Sequence, residues 1–140
     1  MSAPAPTPAL EMSIPSDMAE ARRVQSEIEA ALQQVHFTEH EIFAVKLALE
    51  EALVNAIKHG NQMDRSKRVH VTYRVRTDRF EIRIADEGPG FDPGDVPDPT
   101  APENLERPCG RGLLLMRHYM TEVDYADGGR AVHMAKVRKS

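Results

Sequence analysis

Apolar residues recur along this chain in two rhythms, and the rhythms divide it into elements. From Leu10 to Ile14 apolar and polar residues alternate, the period of a strand with one buried face. Pro15 ends that run, which suits a sheet edge. Met18, Ala21, Val24 (or Gln25), Ile28, Ala31 and Leu32 then return at helical spacing, predicting a helix to about Val35. Ser16 or Asp17 can cap it, and Glu20 stands where a capping box on Asp17 needs a carboxylate. Thr38, with Glu41 three residues on, repeats that signature ahead of a second helix. At about 100° per residue, Ile42, Val45, Leu49, Ala52, Leu53, Ala56 and Ile57 make one apolar stripe on it. Glu51, Asn55 and Lys58 lie opposite, with Ala44 and Ala48 beside them. Gly60 is the expected C-cap, and Asn61 to Lys67 reads as a polar loop.

Alternation resumes at Val69, Val71, Tyr73 and Val75, and again, after a Thr77-Asp78 turn, at Phe80, Ile82 and Ile84. This is a hairpin that stops at Asp86. Residues 87–110 then break both rhythms with six prolines, Pro89, Pro93, Pro97, Pro99, Pro102 and Pro108. A loop of that length inside a small domain is usually functional or mobile. Gly112 to Tyr119 reads as a short helix, and Val123 to Tyr125 and Ala131 to Val137 as strands joined by Asp127-Gly128-Gly129. The order strand, helix, helix, hairpin, loop, helix, hairpin predicts an α+β fold. It is a two-layer α/β sandwich with a mostly antiparallel sheet, helices on one face and the other face wet or available for association.

Composition narrows the setting. The chain has 140 residues, 41% hydrophobic and 29% charged, the profile of one globular domain. A formal charge of −4 gives no electrostatic footprint for nucleic acid. No apolar run is long enough for a bilayer, so no membrane partner is expected. Residues 1–9, rich in proline and alanine, are expected to be a disordered tail rather than a signal peptide. The single cysteine, Cys109, excludes an intrachain disulfide and a cysteine-based zinc site. The expected compartment is the cytoplasm.

Three separated segments carry candidate chemistry. Glu51 and Asn55 are four residues apart on a helix and so are neighbours, able to act on one ligand or simply to form its wet side. Asp86-Glu-Gly-Pro-Gly-Phe-Asp92 follows a strand end. There Asp86 can accept a hydrogen bond from the amino group of a base. Gly88 and Gly90 permit close backbone approach to a flat ring and tolerate positive φ, although Asp and Gly also make plain turns. Cys109-Gly-Arg-Gly-Leu113 opens a helix. Its free N–H groups can hold phosphate and Arg111 can add charge, while the plain alternative is a glycine hinge.

In this order, Glu-x-x-x-Asn on a helix, Asp-x-Gly-x-Gly after a strand and Gly-x-Gly before a helix resemble the GHKL ATPase superfamily, over residues 10–138. The resemblance implies the Bergerat ATP-binding sandwich, with loop 87–110 as lid and residues 91–109 matching its body. Within the superfamily the chain looks most like the bacterial anti-sigma factors that are also serine kinases of the partner-switching type. It carries Glu51, Ala52, Asn55, Ala56 and His59 in their helix pattern and an Ile-Pro-Ser-Asp junction, and it has no room for a histidine kinase's dimerisation helices. The resemblance implies Glu51 as general base on a serine hydroxyl and Asn55 as Mg²⁺ ligand. It implies Asp86 as reader of the adenine amino group. Gly88, Gly90, Gly110, Gly112 and Leu113, with Lys58, His59 and Arg111, would line the nucleotide, though His59 suits a plain helix end equally well. Arg22 or Arg23 matches a partner-contacting arginine. The implied cofactors are ATP and Mg²⁺. The implied partners are a STAS-domain anti-anti-sigma protein, a sigma factor or similar regulator, and a second copy of the chain. One departure stands out: Arg130 and Ala131 occupy the place of a threonine that usually assists adenine binding. With the proline-rich lid, that departure leaves open a non-catalytic module that senses nucleotide and sequesters a regulator. A simple ATPase is a third reading.

Overall fold

The computed structural model describes residues 9–88 and 116–138. Strand β1 (Leu10–Pro15) leads into helix α1 (Met18–Gln34) and helix α2 (Glu39–Val54), which continues as a π-helical turn, Asn55–Gly60. The hairpin β2 (Arg68–Val75) and β3 (Arg79–Ala85) follows, then β4 (Glu122–Ala126) and β5 (Ala131–Val137). Residues 116–119, just before β4, are helical. The strands form one sheet in the order β1-β2-β3-β5-β4, antiparallel at every pair. β1 is an edge, as Pro15 suggested.

Register explains the two layers. Ile14 pairs with Val69, Tyr73 with Ile82, Ile82 with Met134, and Ile84 with Val132, so one face is apolar across the sheet. That face packs on Ala21, Val24, Ile28 and Leu32 of α1 and on the α2 stripe, all buried. The opposite face is polar. Arg79 pairs there with Glu81 and Glu122, Arg83 with Asp127, and His70 with Glu87. These pairs, within β3, from β3 to β4 and from strands to neighbouring turns, make that face charged rather than apolar.

Several local expectations are corrected. Asp17 caps α1 by accepting the Ala19 N–H at 2.8 Å, but Glu20 does not close a capping box. Its carboxylate is held by Arg23, Nη2 to Oε2 at 2.6 Å. The box at Thr38 and Glu41 is complete in both directions. Gly60 is not a left-handed C-cap: the helix widens instead of stopping, and the cap is Asn61 at φ −89°. Asn61, expected in a wet loop, is fully buried.

Arg138 ties the far end of the chain to both layers. Its guanidinium donates to the carbonyls of Val35 (3.1 Å), Thr77 (2.9 Å) and His36 (2.7 Å), and it lies 4.8 Å from the Phe37 ring centre. Charged hydrogen bonds of this kind contribute more than neutral ones. Arg138→Ala is expected to cost about 2 kcal/mol and to lower the melting temperature by roughly 5–10 °C. Thermal unfolding followed by circular dichroism checks this, and an unchanged midpoint would show the staple to be idle.

Candidate functional site

The buried stripe of α2 fixes its rotation, and that rotation sets Glu51 and Asn55 on the flank away from the sheet, both partly exposed. Ala44 and Ala48, expected beside them, are buried, so the polar flank is narrower than the sequence suggested. Burial pushes the Glu51 carboxyl above the ordinary glutamate range, neighbouring Glu50 adds to the rise, and His59 opposes it. Among the described residues neither the Glu51 carboxylate nor the Asn55 amide has a hydrogen-bonding side-chain partner. A carboxylate poised upward and an unengaged amide oxygen, one turn apart, suit a proton acceptor beside a cation ligand.

From Asn55 the helix winds wide. The Asn55 N–H is shared between the carbonyls of Ala52 and Glu51, and the Asn61 N–H reaches back five residues to Ala56 at 2.8 Å. π-Turns of this kind often mark functional segments. Here the turn brings Gly60 against Asp86 at the end of β3. A Cβ at Gly60 would lie 2.7 Å from Asp86 Oδ1, so a side chain there would have to displace the Asp86 carboxylate. A Cβ at Gly88 would overlap the Gly60 carbonyl. Neither glycine adopts positive φ; the need at both is close approach. Asp86 thus stands one wide turn beyond Asn55, against the same helix.

The Asp86–Gly88 turn is held from several sides. The Gly88 N–H donates to Asp86 Oδ1 at 2.9 Å, and the Asp86 N–H donates to the Arg130 carbonyl at 2.8 Å. The Glu87 N–H donates to Asn61 Oδ1 at 2.8 Å. Asn61 Nδ2 in turn donates to Ser16 Oγ and to the Arg68 carbonyl, each at 3.0 Å, while Ser16 Oγ donates to the Lys67 carbonyl at 2.8 Å. One buried amide therefore joins the β1–α1 junction, the end of the α2 segment, the start of β2 and the Asp86 turn. Burial raises the Asp86 carboxyl above its usual range; the Gly88 N–H and the charges of Arg130 and Lys67 pull it back.

The chain matches the histidine kinase-like ATPase domain family over residues 14–136. This chain belongs to that family. Among its relatives are the serine-protein kinase RsbW of Bacillus licheniformis, 30% identical across 91% of this chain and 84% of that one, and RsbW of Bacillus subtilis, 29% identical across 81% and 75%. The serine/threonine-protein kinase BtrW of Bordetella bronchiseptica is 33% identical over 59% of this chain and 60% of its own length. A crystal structure of the RsbU and RsbW domains of a Mycobacterium tuberculosis protein superposes with a TM-score of 0.64 at 18% identity, and shares the fold. It matches 96% of this chain, which spans a third of that one.

A histidine kinase-like ATPase uses ATP; here Asp86 meets the α2 segment at the Gly60–Gly88 contact, and the Glu51/Asn55 flank lies one turn away along the same helix. Among the described residues no group of three metal-ligating His, Cys, Asp or Glu occurs. Mg²⁺ takes one or two protein oxygens and completes its shell with phosphate and water. The Asn55 amide oxygen, without a side-chain partner among the described residues, is a hard donor of that kind. Lys58 and His59 are exposed on the wide turn. Gly90, Gly110, Arg111, Gly112 and Leu113 lie outside the described residues, as do Cys109 and the rest of loop 89–110. Arg22 and Arg23 are both exposed on α1; Arg23 is engaged by Glu20, and Arg22 has no ion-pair partner among the described residues. Sequence reasoning missed Asn61 and the role of Gly60. Neither carries a signal of its own, since an asparagine after a glycine reads as a turn whether buried or not.

Proposed function

We propose that this chain is a protein-serine kinase of the RsbW type, phosphorylating a STAS-domain anti-anti-sigma protein with ATP and otherwise sequestering a sigma factor or similar regulator. The Glu51–Asn55 pair carries the reading: an upshifted carboxylate without a hydrogen-bonding side-chain partner among the described residues, beside an equally unengaged amide. Glu51 accepts the proton of the partner's serine hydroxyl as the serine oxygen bonds to the γ-phosphorus and the bond to the β-phosphate oxygen breaks, releasing ADP. Asn55 would hold Mg²⁺, which when bound neutralises charge on the phosphates. Asp86 selects the base, and Gly88, with Gly90, Gly110, Gly112 and Leu113, lines the nucleotide beside Arg111, Lys58 and His59. Arg22, the arginine not drawn in by Glu20, is the better placed of the pair to meet a partner. The working unit is a homodimer in the cytoplasm, where ATP and the partners are available.

Incubation of the full chain with Mg·ATP labelled at the γ-phosphate and its cognate STAS protein should label that protein on serine. Tight regulator binding without any transfer would favour the binding-only module. Arg130, standing near the place of the usual threonine, donates to the Gly88 carbonyl and supports the Asp86 turn.

The pH profile offers a separate check. Activity should fall as pH drops through the raised Glu51 pKa, because the base is then protonated. His59 pulls that pKa down and Glu50 pushes it up. His59→Ala should therefore move the acid limb of kcat/KM to higher pH, and Glu50→Gln should move it lower. Limbs that stay put in both variants would detach the profile from Glu51.

A further inference from the structure

We propose that Arg130 is a positioning residue for base recognition, anchoring the Asp86–Gly88 turn so that the Asp86 carboxylate meets the six-position amino group of adenine. This rests on the adenine-pocket reading above. Arg130 stands just before β5 and grips the turn twice. Its carbonyl accepts the Asp86 N–H at 2.8 Å, and its Nε donates to the Gly88 carbonyl at 2.8 Å. Its Nη1 donates to the Asp127 carbonyl at 3.1 Å, which fixes the guanidinium across the β4–β5 connection. There Gly128, at φ 65°, leaves room: a Cβ would lie 3.4 Å from Nη1.

Gly88 is thus held on one side by Arg130 and on the other by Asp86 Oδ1, through its own N–H. Freed from the guanidinium, Gly88 can turn about its soft backbone torsions and release Oδ1. The carboxylate then no longer has one orientation. An oriented, ionised carboxylate attracts the adenine amino group and repels a carbonyl at the same ring position. A loss of orientation therefore erodes discrimination between the two bases, whereas a merely structural defect weakens both nucleotides alike.

The test compares ATP with inosine triphosphate, which carries a carbonyl in place of that amino group. Affinities are measured by competition on the full chain with Mg²⁺, with melting temperatures alongside. Arg130→Met is expected to lower the ATP-to-ITP affinity ratio by about tenfold, the size of one charged hydrogen bond. Arg130→Lys, which keeps the charge and one donor, should recover part of that ratio. An unchanged ratio in Arg130→Met overturns the proposal, whether or not affinity or stability falls overall. Asp86→Asn is the control: if the wild type shows no preference for ATP, or if Asp86→Asn leaves the preference intact, the adenine reading itself fails. That pattern is distinct from failure at Arg130 alone.

Discussion

Glu51→Gln is expected to reduce phosphotransfer to the serine partner by about 10²–10⁴-fold, the range lost when a positioned base is removed. Nucleotide affinity should stay within about twofold, since an uncharged isostere leaves the pocket's shape intact and removes no base or phosphate contact. The asymmetry follows from the helix. Glu51 is one turn before Asn55, on the flank that the buried stripe turns outward, while Asp86 meets the far end of the same segment at Gly60. Single-turnover transfer and calorimetry with Mg·ATP separate the two quantities. Full transfer by Glu51→Gln would assign the proton to another acceptor. Loss of binding would mean that the carboxylate holds the nucleotide and is not the base.

The second large effect is expected at Gly88. Its missing side chain is where the Gly60 carbonyl sits, so Gly88→Ala sets a methyl group against backbone. Neither strand of chain can yield freely. Gly60 belongs to a turn whose next residue, Asn61, is bonded to Ser16, Arg68 and Glu87, and Gly88 is held by Arg130. We expect roughly 2–3 kcal/mol of destabilisation, the upper range for overpacking, and a loss of ATP affinity of about a hundredfold as the Asp86 turn is displaced. Gly60→Ala should behave differently. Its methyl group meets the Asp86 side chain, which can rotate away, so binding should suffer with a smaller loss of stability. Denaturant melts and calorimetry on both variants check the contrast. Equal stability losses would show that the helix end and the β3 turn are not wedged together.

The periodic parts of the chain were legible because burial writes them into the sequence. Every residue of the α2 stripe, from Ile42 to Ile57, is buried, and the alternation at Val69–Val75 and Phe80–Ile84 marked the two strands of the central hairpin. Of the candidate site, what was legible was placement: Glu51 and Asn55 share one flank of the α2 segment, and Asp86 ends β3 against the same segment at Gly60. What stayed hidden was long-range polar bonding. Asn61 is separated by 45 residues from Ser16 and by 26 from Glu87, and no local pattern announces partners at that distance. Glu20 misled for the related reason that a capping box and an i,i+3 ion pair with Arg23 call for the same residue. The glycines misled differently. Gly60 suggested a left-handed cap and Gly88 close approach to a flat ring, but Gly60 lies against the Asp86 side chain and Gly88 against the Gly60 backbone.

The wide turn at Asn55–Gly60 has a mechanical meaning. It stores one residue of slack between two fixed points: Asn55 on the outer flank of the helix, and Asn61 bolted into the interior. Tightened to ordinary pitch, the same segment would carry its surplus residue into one of those ends. Either the amide beside Glu51 would swing off axis, or the bolt at Asn61 would pull free of Ser16 and Glu87. Only removal of that surplus residue would let ordinary pitch keep both ends in place.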